Sequence, residues 1–222
     1  MKIINHDIER SSRCGIPEVV YGESKTGEDL TDITKRFLAE SGRAIITKID
    51  DVKASKVLKS VDAKKNAVTY SSKGKILVVK RKDYKKPDVV GDVGILTAGT
   101  SDIPVAEEAR IVAEELGCNV ECRYDVGIAG IHRVFEALEN LKDVKVLIVI
   151  AGMEGALPSV VSGLVSVPVI AVPTSVGYGT AEHGRTALYT MLNSCTPLAV
   201  VNIDNGYGAA VLAYKILLCG KE

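Results

Sequence analysis

Val144-Lys145-Val146-Leu147-Ile148-Val149-Ile150-Ala151-Gly152-Met153-Glu154-Gly155-Ala156-Leu157-Pro158 is the stretch on which the fold reading turns. Its first half is apolar at nearly every position, as in a strand buried on both faces. Small residues and one carboxylate follow, and they suit a tight loop. Pro158 then suits the first turn of a helix, where its missing N–H costs nothing. A buried strand, a small-residue loop and a proline-led helix make one unit of an open parallel sheet, and the unit places Glu154 at the sheet mouth.

The same unit recurs on both sides. Upstream, 93–98 reads as a strand, and Pro104 leads a helix whose face is Val105, Ala109, Val112, Ala113 and Leu116, stopped by Gly117. Residues 119–124 read as the next strand, and Ile131, Val134, Phe135, Leu138 and Leu141 as a second helix stripe. Downstream, the pattern predicts a helix over 158–165, a strand over 167–172, a helix over 181–192, a strand over 198–203 and a last helix over 209–218. Five Val/Ile/Leu-rich strands alternating with helices predict an α/β fold, a three-layer Rossmann-like αβα domain over 87–222. Right-handed crossovers put every strand-to-helix loop on one sheet edge, where ligands of such folds bind. Four glycine-rich loops, 98–102, 151–158, 173–179 and 202–208, are therefore expected to converge on one pocket holding Glu154.

Residues 1–86 read as a smaller α/β domain. Leu30, Ile33, Phe37 and Leu38 fit a helix face, 44–49 and 76–79 fit strands, and 54–61 fits a short helix. Arg13 to Gly22 reads as a turn and a short strand. The polar stretch Lys80 to Pro87 is the expected linker. Charge divides the chain at the same place: residues 1–86 hold 20 Lys and Arg against 12 Asp and Glu, and the rest hold 8 against 16. The basic residues are dispersed and lack interleaved aromatics, so a nucleic-acid partner is not expected. No apolar run approaches the roughly 20 residues needed to span a bilayer, so no membrane partner is expected either. The start of the chain has no hydrophobic segment of signal length, and a cytoplasmic location is the default expectation. Five scattered cysteines do not form a disulfide framework. Cys118 and Cys122 lack a second ligand pair at metal spacing, so no metal site is assigned.

Several side chains suit chemistry at the sheet mouth. Gly99-Thr100-Ser101-Asp102 before a helix offers amides and hydroxyls to a phosphate, although Ser101 or Asp102 would equally serve as an ordinary N-cap. It is not the dinucleotide fingerprint of a nicotinamide dehydrogenase. His132 is a natural proton shuttle near neutral pH or else a structural hydrogen-bonder, and Arg133 could pair with a substrate anion or with Asp125. Cys195 lies at the end of the fourth helix of this domain, where helix geometry does not activate a thiol.

In order, GTSD, GIHR, AGMEGALPSVV, PVIAVPTSVGYG, MLNSC and VNIDNGYGAA, with an N-terminal RCGIPEVVYGESKT, resemble the LarB family. Its members are pyridinium-3,5-biscarboxylic acid mononucleotide synthases of nickel-pincer cofactor assembly. The part from about residue 90 is also similar to aminoimidazole ribonucleotide carboxylase of purine synthesis. The resemblance implies carboxylation of the pyridinium ring of nicotinic acid adenine dinucleotide with CO2 or bicarbonate, and hydrolysis of its phosphoanhydride to release AMP. It implies Cys195 as nucleophile. For the base the choice is Glu154, raised in pKa by a poorly hydrated loop, with His132 and Asp102 in reserve.

Gly99, Thr100 and Ser101 would hold the ribose phosphate. The expected substrate-binding set extends to Arg133, Gly152, Met153, Ser175, Gly177, Asn193 and Asn205. Arg13, Tyr21 and Lys25 are the expected surroundings of the adenylate half. No cofactor is required; Mg²⁺ would suit phosphoanhydride cleavage, but no carboxylates cluster for it. The resemblance to the purine enzyme implies a homo-oligomer, an octamer, and the nearly all-apolar last helix is expected to pack against another subunit. Two alternatives stand beside this reading: a purine-pathway aminoimidazole ribonucleotide carboxylase or mutase, and a non-catalytic nucleotide-binding regulator.

Overall fold

The computed structural model describes residues 5–220, and the chain divides into two units, Met1–Lys86 and Pro87–Glu222. The first holds α1 (Arg10–Cys14), β1 (Val20–Tyr21), α2 (Gly27–Glu40), β2 (Arg43–Thr47), α3 (Asp51–Ser60), β3 (Asn66–Ser71) and β4 (Ile76–Arg81). Its sheet order is β1-β2-β4-β3, with β1 parallel to β2 and the other pairs antiparallel. α2 starts at a capping box, Thr26 and Asp29 satisfying each other's backbone N–H. Leu30, Ile33 and Phe37 of α2 join Ala54 and Val57 of α3, Ile46 of β2 and Leu77 of β4 in one aliphatic core.

Two elements here escape the sequence pattern. β3 is an edge strand that buries no residue fully, so hydrophobic alternation does not mark it; its hairpin with β4 does. α1 is one short turn of helix with no buried residue, ended by Gly15 in the left-handed conformation.

The second unit is a five-stranded, all-parallel sheet in the order β6-β5-β7-β8-β9, covered by helices. The strands are β5 (Gly91–Thr97), β6 (Cys118–Arg123), β7 (Val146–Ala151), β8 (Val169–Pro173) and β9 (Ala199–Val200). The helices are α4 (Ile103–Glu115), α5 (Ile131–Asn140), α6 (Leu157–Ser162), α7 (Arg185–Leu192) and α8 (Gly206–Cys219). This is the α/β architecture the apolar runs predict. The central strand β7 is buried at all six positions, and Val93 to Thr97 of β5 pair with Val146 to Ile150. Fully burying one such Val, Leu or Ile side chain contributes roughly 1.5–3 kcal/mol.

Several boundaries move. Helix α4 begins at Ile103, so Pro104 takes the second helical position. The expected helix over 181–192 is a 3-10 segment, Gly179–Gly184, and then α7, with left-handed Gly184 between them. The expected strand over 198–203 pairs only at Ala199 and Val200, because it lies on the sheet edge with one neighbour. Of the expected stripe, Val134 on α5 and Leu141 just past its end are buried, but Ile131 and Phe135 are exposed. One face of the last helix is covered within the unit: Ala209, Ala210, Ala213 and Leu217 of α8 are buried, and Gly206 at its start abuts the Val105 backbone and the Glu108 carboxylate of α4, while Val211, Leu212 and Ile216 are half-buried.

Candidate functional site

Strand order reverses direction between β5 and β7: the chain leaves β5 for β6 on one side and then returns to β7 on the other. Connections diverge at such a point and leave a crevice at the carboxyl ends of the strands. A cleft of about 540 Å³ lies there, within the range of small-molecule sites. Its walls are the loops after β5 (Ala98, Gly99, Ser101, Asp102), β6 (Gly127 to Ala129), β7 (Gly152 to Glu154) and β8 (Val176 to Tyr178).

The loops meet closely because their residues are small. A Cβ on Gly127 would sit 2.9 Å from the carbonyl of Ala98, and one on Gly152 would sit 2.3 Å from that of Val176. The Met153 N–H donates to that same Val176 carbonyl at 2.8 Å. Met153 is itself left-handed, at φ 50°, followed by Gly155 at φ 68°. A non-glycine residue in that region costs roughly 1–2 kcal/mol, a strain that the β7 loop holds beside the cleft.

Asp102 is the buried charge of the site, 3% exposed. Its Oδ1 accepts from the Thr174 hydroxyl at 2.7 Å and its Oδ2 from the Gly99 N–H at 2.9 Å. The backbone of Gly152 donates to the carboxylate as well. Asp102 therefore ties together the loops after β5, β7 and β8. Burial pushes its carboxyl above the ordinary range, the three donors oppose that, and the nearby Asp204 carboxylate adds to it. Asp204, left-handed at φ 58°, accepts the Ser175 N–H at 2.8 Å and so fastens the β9 loop to the β8 loop.

Of the side chains and loop residues expected at the site, Gly99, Ser101, Asp102, Gly152, Met153, Glu154 and Gly177 line the cleft. Glu154 is solvent-exposed, so the desolvation expected of it belongs to Asp102 instead. Thr100 is exposed in the 3-10 turn beside Ser101 and is not among the lining residues. His132, in the first turn of α5, is exposed and also outside the lining. Arg133 takes the second of its two expected roles: its Nη1 donates to the Asp125 carbonyl at 2.6 Å and to the Asp125 carboxylate at 3.0 Å.

Ser175 lies just before the cleft-lining part of its loop. Asn205 caps α8 by accepting the Gly208 N–H at 2.7 Å, and the β9 loop does not line the cleft. The loop after β6 takes the place expected for it, because β9 is two strands from the reversal point and β6 is beside β5. Ile128, Ala129 and Tyr178 are lining residues that the sequence reading did not single out. Tyr178, 80% exposed in a glycine-flanked loop, carries the signal that could have found it: an aromatic held in water.

Cys195 is exposed and does not line the cleft. It sits on the connection from α7 to β9, a helix-to-strand loop, whereas the cleft is built of strand-to-helix loops. In a parallel sheet those two kinds of loop lie on opposite edges. Asn193 at the end of α7 is occupied locally, its Nδ2 donating to the Tyr189 carbonyl at 2.8 Å. In the first unit, Arg13 pairs with Asp7, the Tyr21 hydroxyl donates to Glu23, and Tyr21 and Lys25 border a smaller cavity of about 320 Å³.

An open parallel sheet with a cleft at its reversal point defines an α/β protein built to hold a small ligand on glycine-rich loops. Residues 92–222 match the family model described as AIR carboxylase, and the chain belongs to that family. Residues 1–82 match a second model, the LarB/PurE-like N-terminal domain. An uncharacterized protein of Methanocaldococcus jannaschii is 50% identical over 211 residues, covering 93% of this chain and 81% of that one. The N5-carboxyaminoimidazole ribonucleotide mutase of the same organism is 38% identical over 133 residues, covering 58% of this chain and 80% of the mutase. That of Pyrococcus horikoshii is 35% identical, covering 56% and 71%. A crystal structure of Treponema denticola PurE aligns over 58% of this chain and 80% of its own, at 25% identity and a TM-score of 0.49.

Proposed function

We propose that this carboxylase-family chain is a pyridinium-3,5-biscarboxylic acid mononucleotide synthase, acting on nicotinic acid adenine dinucleotide and CO2 or bicarbonate. The observation that carries the reading is the pairing of an AIR carboxylase unit with a LarB/PurE-like N-terminal unit, in a chain that also has the Asn193-Ser194-Cys195 motif. The relatives named as mutases align over little more than half of this chain.

The chemistry asks for a nucleophile because a pyridinium ring is too electron-poor to attack CO2. Addition of the Cys195 thiolate to the ring makes a neutral dihydropyridine whose enamine β-carbon is nucleophilic. That carbon attacks CO2 and becomes tetrahedral. A base removes its proton, the electron pair returns to the ring, and the thiolate leaves. The net change is one ring C–H replaced by C–CO2⁻ with release of a proton, and water separately cleaves the phosphoanhydride to give AMP. Glu154, exposed at the cleft mouth, is the base in this reading. Gly99 and Ser101 in the turn before α4 seat the phosphate, and Asp102, held by three donors, shapes the floor. Cys195 does not line the cleft of its own chain; in this reading the thiol that enters a cleft is supplied by a second copy, and the working enzyme is a homo-oligomer.

Incubating the protein with nicotinic acid adenine dinucleotide and bicarbonate, with products read by mass spectrometry, tests this. The expected products are the dicarboxylated mononucleotide and AMP. Unchanged dinucleotide together with turnover of aminoimidazole ribonucleotide would sink the proposal in favour of the purine-pathway reading.

A further inference from the structure

The loop that carries Cys195 is fastened on both sides of the cysteine by hydroxyl groups. Ser159 of α6 donates its hydroxyl to the Ser194 Oγ at 2.9 Å. The Ser194 and Thr196 hydroxyls lie 2.9 Å apart, and the Thr196 hydroxyl donates back to the Ser159 carbonyl at 3.2 Å. Each hydroxyl has one proton to give. Thr196 spends its proton on the carbonyl, so the proton between Ser194 and Thr196 comes from Ser194. The three bonds then form a closed, one-directional ring, Ser159 to Ser194 to Thr196 and back to Ser159.

Two further bonds brace it: the Thr196 N–H donates to the Ser194 Oγ at 3.2 Å, and the Ser162 hydroxyl donates to the Pro197 carbonyl at 2.9 Å. Ser159, Ser194 and Thr196 are half-buried, yet Cys195 between them is exposed. Five hydrogen bonds on the two sides of one exposed side chain hold the loop that carries it, while leaving the sulfur open to whatever docks there.

We infer that Ser159, Ser194 and Thr196 form a positioning clasp for Cys195, holding the thiol in a fixed outward direction for attack on the substrate in another copy's cleft. Ser159 thereby acts on the reaction from α6, through Ser194. The catalytic part rests on the function proposed above; the clasp itself rests on hydrogen-bond geometry alone. A loose loop would still let the thiol reach the ring but would hold it less often in the attacking geometry, and misplacement of that kind lowers kcat before it affects binding.

The test uses the full-length protein with Ser159→Ala, Thr196→Val and, as the conservative variant, Thr196→Ser. Two quantities are read: kcat and KM for carboxylation, and deuterium exchange at the Thr196 amide. Ser159→Ala and Thr196→Val are expected to lower kcat about tenfold or more with KM changed no more than about twofold. Both are also expected to speed amide exchange, and Thr196→Ser should restore wild-type behaviour in each. Unchanged exchange in both variants overturns the clasp. Faster exchange with wild-type kcat, in an enzyme that Cys195→Ala inactivates, overturns its catalytic role. If the wild-type protein does not turn over the dinucleotide, the proposed function fails by itself, and the exchange measurement still decides the clasp.

Discussion

Asp102 and Glu154 are two carboxylates in one cleft with opposite environments, one buried under three donors and one exposed to water. The sign of the Asp102 effect on stability follows from its burial. Asp102 has a folded pKa above its ordinary 3.8, so the unfolded chain gives up this proton first as pH rises. Its contribution is most favourable below about 3.8 and is lost as pH climbs through the raised folded value. Denaturation midpoints of wild type and Asp102→Asn, measured from pH 4 to pH 8, should therefore show the wild type losing ground to the variant with rising pH. A constant difference would mean that the carboxylate is not desolvated. At Glu154 the expected outcome concerns chemistry: Glu154→Gln should accumulate a cysteine-ring adduct, seen as a mass increase on the Cys195 peptide, because deprotonation stalls after carboxylation. Composition marked both residues as candidates. Their division of labour was not legible, because it depends on Thr174, which lies 72 residues from Asp102 in the chain.

The β7-loop-α6 element carries the cleft, and its tolerance is set by Gly155. At φ 68° the backbone there is left-handed, and an added Cβ would lie 2.7 Å from the Ala187 Cα of α7. Gly155→Ala should destabilise the protein by about 2–4 kcal/mol, from the unfavourable φ and from displaced backbone, read as a lower denaturant midpoint. A midpoint unchanged within error would show that α7 yields freely. The element itself was legible from its apolar run and Pro158, because a strand buried on both faces leaves a continuous signature. Two edge elements were less so: the extent of β9 and the existence of β3. β9 pairs at two residues and β3 buries none fully, so neither has the periodicity that a buried face imposes. The exposed Ile131 and Phe135 on α5 were read as core for the same reason: a helical stripe records apolar positions, not what covers them.

For the molecule as a whole, the separation of Cys195 from the cleft leads to a complementation experiment. Cys195→Ala and Glu154→Gln are each expected to be inactive, one lacking the thiol and the other the base. When the two are dissociated, mixed and reassembled, some clefts with Glu154 will face an intact Cys195 loop, and carboxylation should return. No activity in the mixture would show that each copy uses its own cysteine. The apolar last helix was expected at a subunit contact. Ala209, Ala210, Ala213 and Leu217 are buried within its own unit, while Val211, Leu212 and Ile216 are half-buried and Leu218 is exposed.

The sequence by itself determined the parallel five-stranded sheet, the edge on which the ligand loops gather and the glycine-rich character of those loops, because strand burial and crossover handedness leave local marks in the chain. Only the tertiary structure decided which loops wall the cleft, since that depends on strand order: β6 lies beside β5, and β9 lies at the far edge. It also decided that Asp102 is the buried carboxylate, that Arg133 is held by Asp125, and that a ring of three hydroxyls brackets Cys195. Asp102 with Thr174 and Ser159 with Ser194 are meetings of residues distant in the chain, fixed by packing and not by neighbouring sequence; for Arg133 the packing chose between the two partners the sequence offered.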